Sequence, residues 1–341
     1  MSIAKSRWIP VALAVAVTVA AAVWLHVTRY MVSPADLSAR EQVIVVPPGM
    51  GINAAAAMLH RQGVIKHPDL FRFFARVARR GHAIKAGEYR LSAAMPPAAI
   101  LDLLLSGKVA LHRLTIPEGY SMYQIAELAE RTGLAKKDDF LAAAEDTALA
   151  KKLGVPADTL EGYLFPETYY FPMSATPQQM AAAMVDRFFT VFTDEWENRA
   201  ARMGMSVHQI VTLASIIEKE TGHPDERPLI ASVFHNRLAK NMRLESDPTV
   251  IYGIPDFGGN ITKAHLRQET PYNTYRIKGL PAGPISNPGR EALYAALFPA
   301  QTGYLYFVSK NDGTHQFSAT LAEHNQAVRT YQLRGRARPS G

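Results

Sequence analysis

The chain of 341 residues contains no cysteine, which excludes a disulfide framework and any thiolate chemistry. Its 11 histidines form neither an HExxH motif nor a compact ligand cluster. His208, His223, His235, His265, His315 and His324 stand far apart in the chain, so a metal-dependent hydrolase is disfavoured and no metal or cofactor is expected. Long apolar runs are lacking except at the start, where Trp8 to Val27 runs apolar for roughly 20 residues, the length needed to cross a bilayer as a helix. Only His26 interrupts it.

What is present is an ordinary globular composition, 48% hydrophobic and 20% charged, with length for two or more packed units. The apolar start has two readings, a cleaved signal peptide or a retained anchor. It is longer than the ~7–15 apolar residues of a signal-peptide core, although Ala20, Ala21 and Ala22 leave cleavage open. Retention is the favoured reading. Lys5, Arg7 and the terminal amine precede the run and Arg29 follows it, which places the N-terminus in the cytoplasm and the chain from about Met31 outside the inner membrane. The net charge of +7 includes Arg72, Arg76, Arg79, Arg80 and Lys85. For a domain outside the membrane, such a cluster faces lipid or an anionic wall polymer rather than nucleic acid, if it is more than a solvated helix face.

A repeat at a spacing of 70 residues relates Val46-Pro47-Pro48-Gly49, Ile52, Ala56 and Gly63 to Ile116-Pro117-Glu118-Gly119, Met122, Ala126 and Gly133. Each copy reads as a short strand (Val43–Val46; Leu114–Ile116), a Pro/Gly stop and an amphipathic helix. In the second, Ser121 and Gln124 form a capping-box pattern. The first continues with a helix starting at Asp69, a strand around Glu88–Leu91, and a helix from Pro97 to Ser106 ended by Gly107. Strand, two helices and strand resemble a LysM module, which binds wall glycans; the competing reading is a spacer. An aromatic segment at 160–171 then opens the next region. Thr176 to about Gly204 reads as one helix whose Met180, Met184 and Phe188 belong to the core.

Ser206 to Thr221 (SVHQIVTLASIIEKET) is a helix with both ends written in the sequence: Ser206 with Gln209 caps the start, and Thr221-Gly222 and Pro224 stop it. At about 100° per residue, Ile210, Leu213, Ala214 and Ile217 share a face. Glu218 falls on one flank and Glu220 on the other, with Lys219 toward solvent. A carboxyl at the edge of an apolar stripe is desolvated, which raises its pKa toward that of a general acid; a surface glutamate is the alternative at both positions.

Loops dense in Asn, Asp, Thr, Tyr, Gly and Pro follow, suited to binding sugar hydroxyls or serving as plain connections. Six segments, ASIIEKET (214–221), SVFHNRL (232–238), LESDPTVIYG (244–253), YNTY (272–275), GLPAGPI (279–285) and YLYFVSKNDGTHQFSATLAEHN (304–325), resemble in order those of the YceG-like endolytic murein transglycosylases. The resemblance implies cleavage of nascent peptidoglycan strands internally, at the outer face of the inner membrane, with a LysM-like unit before the catalytic domain and peptidoglycan synthases (penicillin-binding proteins) as partners. It also implies that the first glutamate of EKET, Glu218, is catalytic. Glu245 departs from the family's LQSDP-type pattern, where Gln is expected; in the cleft it would raise the pKa of Glu218 or alter product preference.

The expected fold is α+β, with a transmembrane helix, LysM-like α/β modules and a mixed α+β catalytic domain. The expected boundaries are 1–30 for the cytoplasmic tip and anchor, 31–110 for the LysM-like module, 111–160 for the second repeat unit, 161–334 for the catalytic domain and 335–341 for a tail. By the reaction the resemblance implies, Glu218 protonates the bond between N-acetylmuramic acid and N-acetylglucosamine and then takes the proton of the muramyl C6 hydroxyl, which closes a 1,6-anhydro ring without water. Asp247, Asn236 and Asn273 are candidates for holding substrate, as are Glu245 and, through the resemblance, Glu161; each of the first three also reads as a turn or cap residue. The rival from another class is a non-catalytic, membrane-anchored scaffold that binds peptidoglycan for glycan synthases. Tyr304–Val308 and Thr314–Phe317 read as a hairpin turning at Asp312-Gly313, and Thr320 with Glu323 caps a last helix before a basic tail with Arg334, Arg336 and Arg338.

Overall fold

The computed structural model describes residues 8–78, 84–252, 254 and 257–333. Lys5, Arg7, Arg79, Arg80, Gly253 and the basic tail from Arg334 lie outside the described residues. The fold is mixed α+β and divides into two compact units, residues 1–112 with 170–174, and 113–169 with 175–341. The expected regions 111–160 and 161–334 therefore fall almost wholly in one unit.

In the first unit, helix α1 (Trp8–Val32) continues past Val27, and its stretch Val11–Val32, of mean hydropathy 2.1, is long and apolar enough to cross a membrane. Val27 and Met31 near its end are buried in the unit's core. Then come β1 (Gln42–Val46), α2 (Ile52–Arg61), α3 (Pro68–Ala78), β2 (Gly87–Leu91) and α4 (Pro97–Ser106). The strands are antiparallel, with Gln42 opposite Leu91 and Val46 opposite Gly87. Alternation puts Ile44 and Val46 inward and Val43 and Val45 in solvent. Ile44, Leu59, Phe71, Tyr89 and Ile100 fill the core, each worth about 1.5–3 kcal/mol on burial. Gly107, at φ +72°, ends α4 in the left-handed conformation that a residue with Cβ resists.

The second unit begins with the second copy of the repeat. Strand β3 (His112–Thr115) leads to α5 (Met122–Arg131), α6 (Lys137–Ala144) and α7 (Thr147–Lys152), and pairs with β4 (Thr168–Phe171). Inside this unit the strand pair is tied by Thr115 Oγ1 to Thr168 Oγ1, 3.0 Å, and by the Ile116 N–H to the Glu167 carbonyl, 3.0 Å. The repeat survives folding residue for residue: α2 starts at Ile52 and α5 at Met122, and both are followed by a glycine at φ +73°, Gly63 and Gly133.

The expected single helix over 176–204 is two, α8 (Pro177–Val191) and α9 (Asp194–Arg202). Phe192 leaves helical backbone at ψ 83°, and Thr193 starts a new helix with acidic residues in its first turn. Met180, Met184 and Phe188 are fully buried. The remaining elements are α10 (Val207–Glu220), α11 (Arg227–Ala239), α12 (Asp247–Tyr252), α13 (Lys263–Arg267), α14 (Arg290–Leu297), the antiparallel hairpin β5 (Tyr306–Ser309) and β6 (His315–Ser318), and α15 (Leu321–Val328). After α15, residues 329–333 widen into a π turn.

Candidate active site

Helix α10 is the axis of the site. The Ser206 hydroxyl accepts from the Gln209 N–H, and the Gln209 side chain accepts from the Ser206 N–H, closing the capping box. Ile210 to Ile217 are all buried. Two polar residues in that stretch are satisfied locally or used as anchors: Thr212 donates to the His208 carbonyl, 2.8 Å, and the Ser215 hydroxyl accepts from the Ile285 N–H, 3.0 Å. The second bond pins the GLPAGPI loop to the helix. A side chain at Gly162 would meet Pro284 at 2.5 Å and Val211 at 2.7 Å, so the aromatic segment reaches helix and loop only through a glycine. Thr221, extended at φ −145°, stops α10.

Two residues apart on a helix means about 200° around it, and the glutamates at its end part accordingly. Glu218 turns into a closed network. One carboxylate oxygen receives Arg227 Nη2 at 3.2 Å and the other the Gly289 N–H at 2.9 Å, with the side chain 6% exposed. Gly119 packs on its stem, at 3.4 Å from where a Cβ would stand, and Arg227 also lies 3.8 Å from Glu118. Glu118 itself is pushed up by burial and then by the negative charge of Glu218, against the pull of Arg227. Lys219, exposed, reaches back to the Gly119 carbonyl at 3.3 Å.

Glu220 turns the other way, to the wall of a cavity of about 390 Å³. Its carboxyl accepts a hydrogen bond from Ser246 Oγ. Burial pushes its pKa up to about 7; the Ser246 bond opposes this, the charge of Asp247 adds to it and Arg237 opposes it. Around the same cavity stand Arg237, Glu245, Asp247, Tyr275, Phe307, Ser309, His315 and His324. Asp247 accepts from the Tyr275 hydroxyl at 2.7 Å, and Glu245 from Arg237 at 3.3 Å. Arg237 also donates to the carbonyls of Leu305, Arg243 and Leu244. It therefore ties α11, the loop before α12 and the final hairpin into one wall.

Of the six residues expected at the site, the structure brings Asp247 and Glu245 together on this cavity and places four elsewhere. Glu218 sits in the ion-pair network. The Asn236 amide donates to the carbonyls of Thr302 and Tyr304, 2.9 Å each, fixing the approach to β5. Asn273, 1% exposed, spends its amide on the carbonyls of His265, Leu266 and Gln268. These two have the turn-and-cap role that the sequence left open for them. Glu161, 2% exposed, accepts from the Met122 N–H, the Tyr252 hydroxyl and Asn287 Nδ2 at 2.9 to 3.1 Å. Burial outweighs these bonds and pushes its pKa up to about 7. It joins α5, α12 and the loop before α14 as an internal knot.

Sequence reasoning left Tyr275, Arg237, His315 and His324 without roles although each lies in a quoted motif. The signal available was the density of polar residues in those motifs; what was missing was which of them share a cavity. Among the described residues no group of three His, Asp or Glu side chains is placed to hold a metal ion.

Comparison with known proteins identifies the family. The chain matches the profile of the YceG-like family over residues 44–330. It is 33% identical over 319 residues to the endolytic murein transglycosylase of Bacillus subtilis strain 168, covering 89% of this chain and 88% of that protein. The endolytic murein transglycosylase of Streptococcus pneumoniae R6 is 30% identical over an alignment 332 positions long that covers 86% of this chain and 59% of the longer relative. A crystal structure at 2.6 Å of a YceG-like protein from Listeria monocytogenes superposes with a TM-score of 0.58 at 36% identity, covering 85% of this chain and 99% of that one. Because the profile runs through both units, from the first strand to the final helix, the chain belongs to the YceG-like family.

Proposed function

We propose that this protein is an endolytic murein transglycosylase: it cleaves the bond between N-acetylmuramic acid and N-acetylglucosamine inside nascent peptidoglycan strands and leaves a 1,6-anhydromuramyl end. The acid is assigned to Glu220 rather than Glu218. The observation that carries this is the carboxyl of Glu220, with its pKa near 7, on the wall of a polar cavity, against the locked and ion-paired carboxylate of Glu218. A carboxyl that holds its proton near neutrality can protonate a glycosidic oxygen. A carboxylate held by an arginine and a backbone N–H is a structural anion.

In the reaction, the glycosidic C–O bond breaks as Glu220 gives its proton to the leaving oxygen. The muramyl C6 hydroxyl closes on C1, and the proton it loses restores Glu220. No water is consumed. Asp247 and Tyr275, linked to each other and facing the same cavity, hold the sugar hydroxyls or the acetamido group; Glu245 stands at the rim. Helix α1 anchors the chain in the inner membrane with the N-terminus cytoplasmic and the chain from about Met31 outside. The strand–helix–helix–strand order of the first unit supports a LysM-like module over 31–110, and peptidoglycan synthases are the expected partners of an enzyme that acts on nascent strands.

The test is mass spectrometry of uncross-linked glycan strands after incubation with the wild type, Glu220→Gln and Glu218→Gln. Anhydromuramyl ends lost in Glu220→Gln and retained in Glu218→Gln support the assignment. The reverse pattern returns the acid to Glu218, reducing ends make the enzyme a hydrolase, and no cleavage by folded wild type favours the scaffold.

A further inference from the structure

Opposite α10, the cavity is walled by the hairpin, and the first residue of β6 carries a dyad that the reaction above does not use. His315 Nδ1 lies 2.7 Å from Glu226 Oε2, and the His315 backbone N–H donates to Glu226 Oε1 at 2.8 Å. Both side chains are nearly enclosed, at 13% and 12% exposure. One carboxylate thus grips the residue twice, so the ring can neither rotate away nor shift along the strand. Phe307 meets the imidazole edge-on at 5.4 Å and Phe317 lies 6.5 Å from it. Burial pushes Glu226 up, but the two bonds from His315 outweigh it and hold the carboxyl below the usual carboxylate range. An ionised carboxylate on Nδ1 fixes the proton there and leaves Nε2 as the basic nitrogen. Nε2 has no protein partner among the described residues, and His315 lines the cavity that Glu220 lines.

His324 borders the cavity too, with a buried Nδ1 that lacks a partner among the described residues. It makes no hydrogen bond to a carboxylate among the described residues, stacks on Tyr306 at 5.2 Å, and has its pKa lowered first by burial and then by the charge of Arg237, against the opposing charge of Glu245. It lacks the directly bonded carboxylate that orients His315.

We propose that His315, oriented by Glu226, is a second catalytic group that accepts the proton of the muramyl C6 hydroxyl as the anhydro ring closes. This deepens the transglycosylase reading and rests on it. As O6 forms its bond to C1, its proton passes to His315 Nε2, and the imidazolium is balanced by the Glu226 carboxylate. Glu220, left as a carboxylate after protonating the departing sugar oxygen, then takes that proton back from His315. Atoms and charge return to the starting state. With an intramolecular hydroxyl activated in this way, water is outcompeted for C1.

The experiment compares full-length wild type, His315→Gln and Glu226→Gln on uncross-linked strands, reading kcat and KM, the ratio of anhydromuramyl to reducing ends, and thermal melting. Loss of a positioned base lowers the rate by about 10²–10⁴-fold, so His315→Gln is expected to lose kcat on that scale with KM little changed and a larger share of reducing ends. Glu226→Gln is expected to move the same way by less. Wild-type kcat and product ratio in a folded His315→Gln overturn the proposal. If His315→Gln does not fold, a folded Glu226→Gln with wild-type ratio and rate overturns it. A wild type that makes no anhydro ends sinks the transglycosylase reading itself, a result distinct from either.

Discussion

Glu218 and Glu220 leave the same turn of α10 and meet opposite surroundings. Around Glu218 the protein supplies a guanidinium at 3.2 Å, a backbone N–H at 2.9 Å, and glycines at 119 and 289 that let the backbone close in. Around Glu220 it supplies desolvation, one hydroxyl and a neighbouring negative charge, and leaves a cavity beside the carboxyl. On the proposed reading, two chemically identical side chains become a structural anion and a proton donor. The difference lies in what faces them, since helix propensity and the local sequence treat them alike.

The comparison breaks most decisively at Glu220. Glu220→Gln keeps the size and the hydrogen bond to Ser246 but has no proton to give, so cleavage is expected to fall by about 10²–10⁴-fold, read as the rate of anhydromuramyl ends. The melting temperature should hold or rise, because the substitution mimics the neutral form that the site favours.

Glu218→Ala should invert that pattern. Removing one partner of a buried pair costs about 3–5 kcal/mol, on the order of 10 °C in melting temperature for a unit of this size. Arg227 already has a buried Nε without a partner among the described residues and would lose its nearest anion. Activity measured well below the melting point should fall far less than in Glu220→Gln. A stable, inactive Glu218→Ala would reverse the two roles.

The pH dependence sharpens the contrast further. As the proposed acid, Glu220 must be protonated to act, so kcat should fall as pH rises through about 7. Stability runs in the same direction. Glu220 and Glu161 have folded pKa values of about 7 against 4.5 for the free side chain, so the folded state binds more protons between those limits. Their contribution is complete below 4.5 and is lost as pH rises to about 7. Calorimetry across that window should show a falling melting temperature, less steep in Glu220→Gln. In Asp247→Asn the alkaline limb of the rate should move to lower pH, by less than burial alone contributes, since burial is the larger cause.

The smallest effect is expected at the position that departs from the family pattern. Glu245 is 47% exposed and paired with Arg237, and it is not among the groups that shift Glu220. An exposed pair of this kind is worth ~0–1 kcal/mol, so Glu245→Gln should alter the cleavage rate by no more than about fivefold. A larger change in kcat would place Glu245 in the reaction.

Much of the local structure was legible. Capping boxes at Ser121, Ser206 and Thr320 are present as the sequence spells them, because each needs only residues three apart. The repeat gave two helices at one offset, since equal hydrophobic spacing and equal glycine stops fold alike. The break at Phe192 was not legible, because the apolar stripe continues across it. At the site, the sequence separated the two glutamates by flank and could go no further: the partners of Glu220 come from residues 237, 246 and 247, and those of Glu218 from residues 227 and 289.

The sequence by itself determined the apolar start, the repeat, the capped helix with its two carboxyls, and the six motifs that carry the family. Those properties depend on spacing along one chain, where hydrophobic period and hydrogen-bond reach are local. Only the tertiary structure decided which glutamate faces the cavity, that Asn236, Asn273 and Glu161 bind the protein itself, and that Glu226 grips His315. Proton affinity depends on desolvation and on charges brought within a few ångströms, and those neighbours meet only when the chain has folded.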